Sequence, residues 1–302
     1  MITLGDRGTE VSQLQKYLSL IGYDLVIDGH FGNRTLRSLK AFQKKYNLSV
    51  DGVAGPKTLS ALRAAQKRTS KEEKKDGYFK KYGDLIVNTE HIQSSEQFIK
   101  QKSKKDKIFI HYTVSGPDAK DVINYWDRNL DRISTSFVIS GRGSEDGKIY
   151  ETFNPDYWSY HLGVKGTKGK LDKSSIGIEI CSWGRLYKKN DRFFNVYGGE
   201  VSLSEVYTLE TPWRGECYYH SYSDKQIESL EKLLLWIISE YKIKVQDINF
   251  DSDWIEYSDD LIKSSSSGIW SHSNVRKDKQ DTYPDQRLFN MLNRVRIKVN
   301  GK

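Results

Sequence analysis

Apolar residues recur every three or four positions in three stretches of the first 62 residues, a spacing that places them on one face of a helix. The three stripes are Val11, Leu14, Leu18 and Ile21; Leu36, Leu39 and Phe42; and Leu59 and Leu62. Turns that contain glycine separate the stripes. The pattern predicts three short helices, and about sixty residues are enough for such a bundle.

Two segments of this region repeat each other 23 residues apart. Residues 27–39 have the sequence IDGHFGNRTLRSL, and residues 50–62 have the sequence VDGVAGPKTLSAL. In each copy an Asp-Gly turn and a second glycine precede the start of a helix. Pro56 directly follows Gly55 and fits the first helical turn, where its missing N–H has no partner to lose. The repeat therefore belongs to a helical unit.

From residue 108 the pattern changes to short runs rich in β-branched and aromatic residues, which are typical of strands. These runs lie at residues 108–112, 136–139, 148–152 and 175–181. The longest predicted helix extends from Ser223 to about Tyr241, with a capping-box pattern at its start and one apolar face. We therefore predict an α/β fold with a mixed central sheet flanked by helices, preceded by the small three-helix domain.

Charge is distributed unevenly along the 302 residues. The formal net charge of +8 divides into +3 for residues 1–62, +6 for residues 63–108 and −1 for residues 109–302. Lysine-rich sequence surrounds a short apolar stretch around Leu85–Ile92, which we interpret as a linker with some local structure. We predict a three-helix domain, a basic linker and a larger second domain, with the bounds 1–65, 66–107 and 108–302.

Composition and patterning exclude several partners. The longest strongly apolar run, Leu233–Ile238, is far shorter than the roughly 20 residues of a membrane helix, so we expect no membrane insertion. The positive charge lies mainly in the predicted linker, and no nucleic-acid recognition motif accompanies it. We therefore expect that nucleic acid is not a partner of this protein. The opening MITLGDRGTE has neither the basic region nor the apolar core of a secretory signal, so we expect synthesis in the cytoplasm. We also expect a monomer.

Cysteine and histidine usage limits the metal chemistry. Cys181 and Cys217 are the only cysteines, too few for a disulfide scaffold or a multi-cysteine zinc module, although one bridge between them stays open. A catalytic zinc takes three protein ligands and leaves a fourth position for water. His111 ends an apolar strand and His272 opens a polar stretch, so these two with one Asp could supply that set. The His-Glu-x-x-His motif of many zinc proteases is absent.

Four features of the first 62 residues occur together. They are the LGDRG opening, the LQKYL helix, the paired DGxxGxxTL motifs and the FQKKYNLSVDG connection. This combination resembles the peptidoglycan-binding domain of bacterial and phage wall hydrolases. The resemblance implies that bacterial peptidoglycan is the partner of this domain. A three-helix module without a ligand is the alternative, because a fold alone does not establish binding.

A second set of motifs occurs between residue 108 and about residue 295. The motifs are His111-Tyr-Thr113, Tyr157-Trp-Ser-Tyr-His-Leu-Gly163, Ser175-Ile-Gly-Ile-Glu179 and, after His272, Lys279-Gln-Asp281. Together they resemble the type-2 N-acetylmuramoyl-L-alanine amidases, whose fold is shared with peptidoglycan recognition proteins. The resemblance implies a zinc-dependent hydrolase that cleaves the amide between N-acetylmuramic acid and L-alanine of the stem peptide.

The resemblance also implies the metal ligands. His111 and His272 match the two zinc histidines of the family. Asp281 matches the third ligand, because it ends the Lys-x-Asp frame. Asp278 and Asp285 fall outside that frame and are weaker candidates.

Glu179 and Lys279 match family positions for which the resemblance implies catalytic roles. Strand alternation supports Glu179 independently, because three isoleucines of the same strand point to the opposite side. Glu179 would act as the general base for the attacking water and return a proton to the leaving amine, and Lys279 would stabilise the oxyanion. A buried salt-bridge role for Glu179 is the alternative. His161, Trp158 and Thr113 are predicted on the substrate side.

Several alternatives stay open at this level. Some family members carry Tyr or His just before one strand, where this chain has Ser134-Thr-Ser136, so no role is transferred there. Residues 193–222 form a strand-rich insertion without a predicted role. A non-catalytic recognition protein is the main alternative function, and a two-carboxylate glycosidase is a weaker one. The expected biology is that of a phage endolysin, which is made in the host cytoplasm and reaches the wall after release, and an exported bacterial autolysin is the alternative.

Overall fold

The chain divides into two units, Met1–Tyr78 and Phe79–Lys302. The computed structural model describes residues 1–21, 23, 25–72, 79–128, 133–263 and 266–301. Residues 73–78, which belong to the predicted linker, lie outside the described residues. Among the residues described, no helix combines the length and apolar character that crossing a membrane requires.

The first unit contains the three predicted helices, α1 (Thr9–Leu20), α2 (Asn33–Lys45) and α3 (Pro56–Glu72). Their apolar stripes meet in one core. The buried members of this core are Ile2, Val11, Leu14, Leu18, Phe31, Leu39, Phe42, Ala54, Leu62 and Ala65. The helical character predicted for this region is confirmed, because each predicted stripe lies on one of these helices and packs in this core.

A buried glutamine anchors each copy of the sequence repeat. In each copy the glutamine side chain accepts from the glycine N–H of the Asp-Gly turn and donates to the aspartate and to a helix threonine. The first copy uses Gln15 with Asp28, Gly29 and Thr35, and the second uses Gln43 with Asp51, Gly52 and Thr58. Both turn glycines have positive φ, +67° and +75°. The repeat therefore preserves a hydrogen-bonded turn as well as an apolar pattern.

In the described residues of the second unit, the strands form one large and two small sheets. The strands are β1 (Phe79–Tyr82), β2 (Leu85–Asn88), β3 (Lys107–Tyr112), β4 (Phe137–Ile139), β5 (Ile149–Glu151), β6 (Ser175–Ile180), β7 (Tyr187–Lys189), β8 (Arg192–Phe194), β9 (Glu200–Val201), β10 (Val206–Trp213), β11 (Glu216–His220) and β12 (Gly268–Ser271). The large sheet has the order β1-β2-β5-β4-β6-β3-β12. Strands β4, β6, β3 and β12 run parallel, whereas β5 is antiparallel to β4. The predicted mixed sheet is confirmed.

Helices cover this sheet on both faces. They are α4 (Ala119–Arg128), α5 (Lys170–Ser174), α6 (Asp224–Tyr241), α7 (Asp259–Lys263) and α8 (Gln286–Asn300). Ile176, Ile178 and Ile180 of β6 pack in one core with α6 and α8, as strand alternation predicts. Cys181 packs on the other side with α4. Glu179 alternates along β6 with the isoleucines that face α6 and α8, and His111 of β3 is its direct neighbour in the register. Both side chains therefore point to the face of the sheet opposite to α6 and α8.

The predicted capping box at the start of α6 is confirmed. The Ser223 hydroxyl accepts from the Gln226 N–H at 3.0 Å, and the Gln226 side chain accepts from the Ser223 N–H at 2.9 Å. The same glutamine amide donates to the carbonyl oxygen of Cys181 at 2.9 Å, just beyond β6. The cap therefore also fixes the helix to the sheet edge.

Residues 79–107, predicted from the sequence as linker, belong to the second unit. β1 and β2 form a hairpin, and β2 extends the large sheet by pairing with β5. The buried Glu151 carboxylate accepts hydrogen bonds from Lys80 and, at 2.8 Å, from the Tyr82 hydroxyl. The lysines that indicate a linker thus include one that neutralises a buried carboxylate, which charge counting cannot distinguish from a solvated lysine.

Candidate active site

Three neighbouring parallel strands bring the predicted site residues to one edge of the large sheet. His111 on β3 lies directly opposite Glu179 on β6 in the register. His272 follows the last residue of β12, whose Ser271 pairs with Ile110 of β3. These residues therefore lie at the carboxyl ends of parallel strands, where α/β folds place their ligands.

The side chains of His111, His272 and Asp281 meet in a small triangle. The two Nδ1 atoms lie 3.0 Å apart, and Asp281 Oδ2 lies 3.0 Å from that of His111 and 2.9 Å from that of His272. All three residues are buried, with exposures of 2%, 6% and 8%. The structure thus brings together the three predicted metal ligands, although Asp281 is 170 residues from His111 along the chain.

Hydrogen bonds to the main chain fix the position of Asp281. The Ser271 hydroxyl donates to the Asp281 carbonyl oxygen at 2.8 Å, and the Ser273 N–H donates to the same oxygen at 3.0 Å. The Thr282 N–H in turn donates to the Ser271 hydroxyl oxygen at 2.8 Å. The loop after β12 therefore closes on itself and returns Asp281 to His272.

The outer nitrogen of His272 determines which tautomer this ring adopts. Nε2 lies 2.9 Å from the carbonyl oxygen of Leu162, which can only accept a hydrogen bond. Nε2 therefore carries the proton, and in the neutral ring Nδ1 has a lone pair directed at the triangle. Such a partner on the outer nitrogen is characteristic of metal-binding histidines.

The electrostatics of the triangle suit a divalent cation. Burial, and then the neighbouring His272, lower the pKa of His111 to about 4. At neutral pH His111 is thus a neutral imidazole that lies 3.0 Å from the Asp281 carboxylate. Tetrahedral zinc with bonds of about 2.0–2.1 Å separates its ligands by roughly 3.3 Å, close to the distances observed here.

Glu179 presents a buried carboxylate atom without a hydrogen-bond partner among the described residues, namely Oε2. Burial, and then the negative charge of Asp281, raise its pKa well above the ordinary 4.5, while Lys279 opposes the shift. No ion pair of Glu179 occurs within the part of the chain that the structure describes, so the salt-bridge alternative has no support there. An unpartnered carboxylate with a raised pKa beside a metal-type cluster is a candidate proton acceptor.

The inserted hairpin β10–β11 holds the loop that carries Lys279. Its tip residue Arg214 directs one guanidinium group at four main-chain carbonyls of this loop. The acceptors are Ser273 at 3.4 Å, Arg276 at 3.4 Å, Lys277 at 3.3 Å and Lys279. The role of the strand-rich insertion was not predicted, because no local pattern relates Arg214 to a loop about sixty residues later.

The three residues predicted on the substrate side have different surroundings. His161 lies at the cluster, with Nδ1 3.0 Å from Nε2 of His111. Thr113 is half-buried, and its hydroxyl oxygen accepts from the Ser182 N–H at 3.2 Å. Trp158 is only 6% exposed, and the Lys173 ammonium lies 4.9 Å from its ring centroid. The structure thus brings His161 into contact with the metal-type cluster.

The structure answers two other questions that the sequence leaves open, namely whether the two cysteines pair and what surrounds the residues before β4. Cys181 and Cys217 are both free, the first buried and the second half-buried, so no bridge joins them. At the position where some family members carry Tyr or His, the small residues Ser134, Thr135 and Ser136 are all buried. None of the three supplies a carboxylate, imidazole or phenol at this position.

Comparison with solved structures gives partial similarities. A peptidoglycan-binding protein from Clostridioides difficile, solved with glutamine hydroxamate, is 46% identical over 20% of this chain and 39% of its own, with a TM-score of 0.20. PlyL is 14% identical over 68% of this chain and 92% of its own, with a TM-score of 0.38. The N-acetylmuramyl-L-alanine amidase AmiD from E. coli is 16% identical over 71% of this chain and 65% of its own, with a TM-score of 0.38.

The chain covers less than two thirds of some relatives, with 39% of the Clostridioides difficile protein and 24% of the Burkholderia AP3 phage endolysin. Comparison with curated protein sequences gives no match. Residues 7–62 match a peptidoglycan binding domain family. Residues 101–284, more than half of the chain, match the family described as N-acetylmuramoyl-L-alanine amidase. The chain therefore belongs to the N-acetylmuramoyl-L-alanine amidase family.

Proposed function

We propose that this protein is a zinc-dependent peptidoglycan amidase that cleaves the amide between N-acetylmuramic acid and L-alanine of the stem peptide. The observation that carries the proposal is the buried triangle of His111, His272 and Asp281 beside Glu179, whose Oε2 has no partner among the described residues. Family membership supports the reaction class. The metal, the bond that is cleaved and the residue roles are proposals.

The ligand set favours zinc among the divalent cations. Two imidazole nitrogens and one carboxylate oxygen are donors that zinc accepts in catalytic sites, whereas calcium and magnesium prefer oxygen ligands alone. His111, His272 and Asp281 would hold the ion. When bound there, zinc would lower the pKa of a water molecule and polarise the carbonyl of the scissile amide.

Glu179 would move the proton in this reaction. Its raised pKa means that the carboxylate takes up a proton readily, which a general base for water requires. As the water oxygen bonds to the carbonyl carbon, Glu179 accepts the water proton. As the carbon–nitrogen bond breaks, Glu179 donates this proton to the alanine nitrogen, which leaves as an amine.

Lys279 would stabilise the negative charge that develops on the carbonyl oxygen. Its positive charge opposes the rise in the pKa of Glu179 and adds to the lowering of the pKa of His111, which supports this role. An ammonium group in such a position stabilises an oxyanion without any rearrangement. Arg214 donates hydrogen bonds to the main-chain carbonyls of Arg276, at 3.4 Å, and of Lys279 itself. A contact of the substrate with Thr113 or Trp158 stays a prediction.

The first unit would bind the same polymer. We propose that the helical domain, predicted at residues 1–65, binds peptidoglycan and raises the local substrate concentration for the catalytic unit. A monomer is sufficient for this arrangement, because both activities lie on one chain. Action as a phage endolysin, made in the host cytoplasm and released onto the wall, stays a prediction. Lysis of a host expressing the protein should then require a membrane-permeabilising partner, and lysis without one would contradict it.

Product analysis of digested peptidoglycan tests the activity. Purified cell walls are incubated with zinc-loaded protein, and soluble products are analysed by mass spectrometry, with metal content measured on the same preparation. The expected products are glycan with a free lactyl carboxyl group and peptides with a new N-terminal alanine. His272→Ala is the matched control and should lose both zinc and products. New reducing ends would indicate a glycosidase, and wall binding without products would indicate a recognition protein.

A further inference from the structure

Two imidazole rings and a hydroxyl form a continuous series behind the metal-type triangle. His111 Nε2 lies 3.0 Å from His161 Nδ1, and His161 Nε2 lies 2.9 Å from the Ser175 hydroxyl oxygen. The Ser175 hydroxyl donates to the Leu171 carbonyl oxygen at 2.7 Å. Every polar atom of this series therefore has a partner, and its last member is a group that can only accept.

The final carbonyl determines the direction of every bond in the series. Because the single Ser175 hydroxyl proton goes to Leu171, the Ser175 oxygen must accept from His161 Nε2–H. A neutral His161 then has a lone pair on Nδ1, which accepts from His111 Nε2–H. His111 Nδ1 is therefore left with a lone pair, and this is the atom that faces Asp281 and His272.

His272 reaches the same state by a different device. Its Nε2–H donates to the Leu162 carbonyl, so its Nδ1 also keeps a lone pair toward the triangle. The triangle thus contains two imidazole lone pairs and a carboxylate about 3 Å apart, an arrangement that a cation would stabilise. Two separate hydrogen-bonding devices therefore give the same tautomer at both predicted ligands.

One buried carboxylate anchors both devices. Asp172, which is 2% exposed, accepts from the N–H groups of His161 and of Leu162, each at 3.0 Å. It thereby fixes the main chain that carries the His161 ring and the carbonyl that holds His272. These two hydrogen bonds offset the free-energy cost of burying the Asp172 carboxylate, which would be high without partners.

Gly177 on β6 provides the space for the His161 ring. A Cβ atom at this position would lie 3.0 Å from His161 Nδ1 and 2.8 Å from the Thr135 methyl carbon. Any side chain at residue 177 would therefore displace the ring from His111 or the strand from its neighbour. The glycine beside Glu179 in the Ser-Ile-Gly-Ile-Glu strand thus has a steric role in this chain.

We propose that His161 is a positioning residue for His111, which fixes the tautomer and ring orientation of that metal ligand through Ser175. The proposal deepens the proposed function, because the metal concerned is the zinc of that site. It also replaces the predicted substrate-side role, since both nitrogens of the His161 ring are occupied by protein partners. Loss of His161 should therefore weaken metal binding while the substrate KM of zinc-loaded protein stays the same.

The test compares His161→Ala with His161→Asn in the full chain. An Asn side-chain oxygen can take the place of Nδ1 and accept from His111, whereas Ala cannot. Zinc affinity is measured by competition with a chelator, and the histidine tautomers of metal-free protein are measured by ¹⁵N NMR. We expect His161→Ala to weaken zinc binding about 10–100-fold and to lower the population of the Nε2–H tautomer of His111. His161→Asn should lose less zinc affinity.

His220→Asn is the matched control, because His220 is also buried but bonds to Ser182 outside the series. It should leave zinc affinity unchanged. Gly177→Ala tests the same ring from the strand side and should also weaken zinc binding, which keeps the test available if His161→Ala does not fold. Unchanged zinc affinity and tautomer in folded His161→Ala would overturn the proposal. A raised KM at unchanged zinc affinity would also overturn it and return His161 to the substrate side.

These measurements are independent of the bond that the enzyme cleaves. The tautomer is measured without metal or substrate, and zinc affinity is measured without substrate. Product analysis alone tests the amidase assignment. If amidase products are absent while His161→Ala changes the His111 tautomer, only the proposed reaction fails. If products form while the tautomer and zinc affinity of His161→Ala stay unchanged, only the positioning role fails.

Discussion

Replacing Glu179 by glutamine should have opposite effects on activity and stability. The substitution keeps the shape of the side chain but removes its charge and its ability to accept a proton. General base catalysis contributes about 10²–10⁴-fold, so turnover of zinc-loaded Glu179→Gln should fall by that factor, or about 3–5 kcal/mol in activation free energy. Zinc content should stay stoichiometric, because Glu179 is not one of the three clustered ligand residues.

The stability effect follows from the raised pKa of Glu179. Above about pH 4.5 the unfolded chain has released the Glu179 proton while the folded protein still binds it. The contribution of Glu179 to the stability of the wild-type protein is therefore fully present below that pH. It falls as pH rises toward the folded-state pKa, by about 1.4 kcal/mol per pH unit. The amide of the substituted side chain cannot titrate, so metal-free Glu179→Gln should become increasingly more stable than the wild type across this window.

Urea unfolding of chelator-treated protein at several pH values above about 4.5 measures this difference. Other groups titrate in both proteins, so the difference between their unfolding free energies isolates Glu179. Glu231→Gln is the matched control, because Glu231 accepts hydrogen bonds from Arg294 at 2.7 Å and Lys298 at 2.9 Å. These partners lower its pKa against the effect of burial, so this substitution should destabilise the protein.

Two results would refute the reasoning about Glu179. Near-wild-type turnover of zinc-loaded Glu179→Gln would remove it from the proton transfer. A stability difference that stays flat or shrinks as pH rises would show that the carboxylate is not destabilised in the folded protein. The combined outcome, lower activity with higher stability, is the behaviour expected of a group held for chemistry at a cost in stability.

Three further predictions concern other parts of the molecule. Burial lowers the pKa of Lys105 to about 7, so between that pH and about 10.5 the unfolded chain binds one more proton and stability rises with pH; Lys105→Met should lack this rise, about 1.4 kcal/mol per pH unit in urea unfolding, and equal slopes would contradict it. Arg214→Ala should weaken zinc binding roughly 10-fold by freeing the loop before Asp281, whereas Arg192→Ala, which removes an exposed ion pair with Glu200 and a cation–π contact with Phe194, should not, and equal zinc affinities would reject the loop role. Removal of zinc by a chelator should abolish hydrolysis but leave wall binding by the first unit intact in a sedimentation assay, and loss of both would place wall binding at the metal site.

Much of the fold follows from local patterns. The three helical stripes, the α6 capping box and the alternation in β6 all appear where periodicity predicts them. The four predicted strands of the large sheet agree with β3, β4, β5 and β6 within one residue. These features are readable because each depends on side chains within one turn of helix or one strand.

The hairpin β1–β2 shows where such patterns stop. Its lysines indicate a linker by composition, yet Lys80 pairs with the buried Glu151, and Leu85 and Val87 are buried in the sheet core. Whether a short apolar stretch becomes a strand depends on the neighbour with which it pairs. That neighbour, β5, lies about sixty residues further along the chain.

The candidate site likewise has some features that the sequence determines and others that only the tertiary structure determines. The sequence by itself determined the candidate ligands His111, His272 and Asp281, because the motifs that contain them resemble those of the amidase family. Only the tertiary structure decided which nitrogen faces the triangle, because the partners of the outer nitrogens, His161 and Leu162, are 50 and 110 residues away in sequence. Hydrogen-bond direction depends on atoms in space, and chain order does not encode it locally.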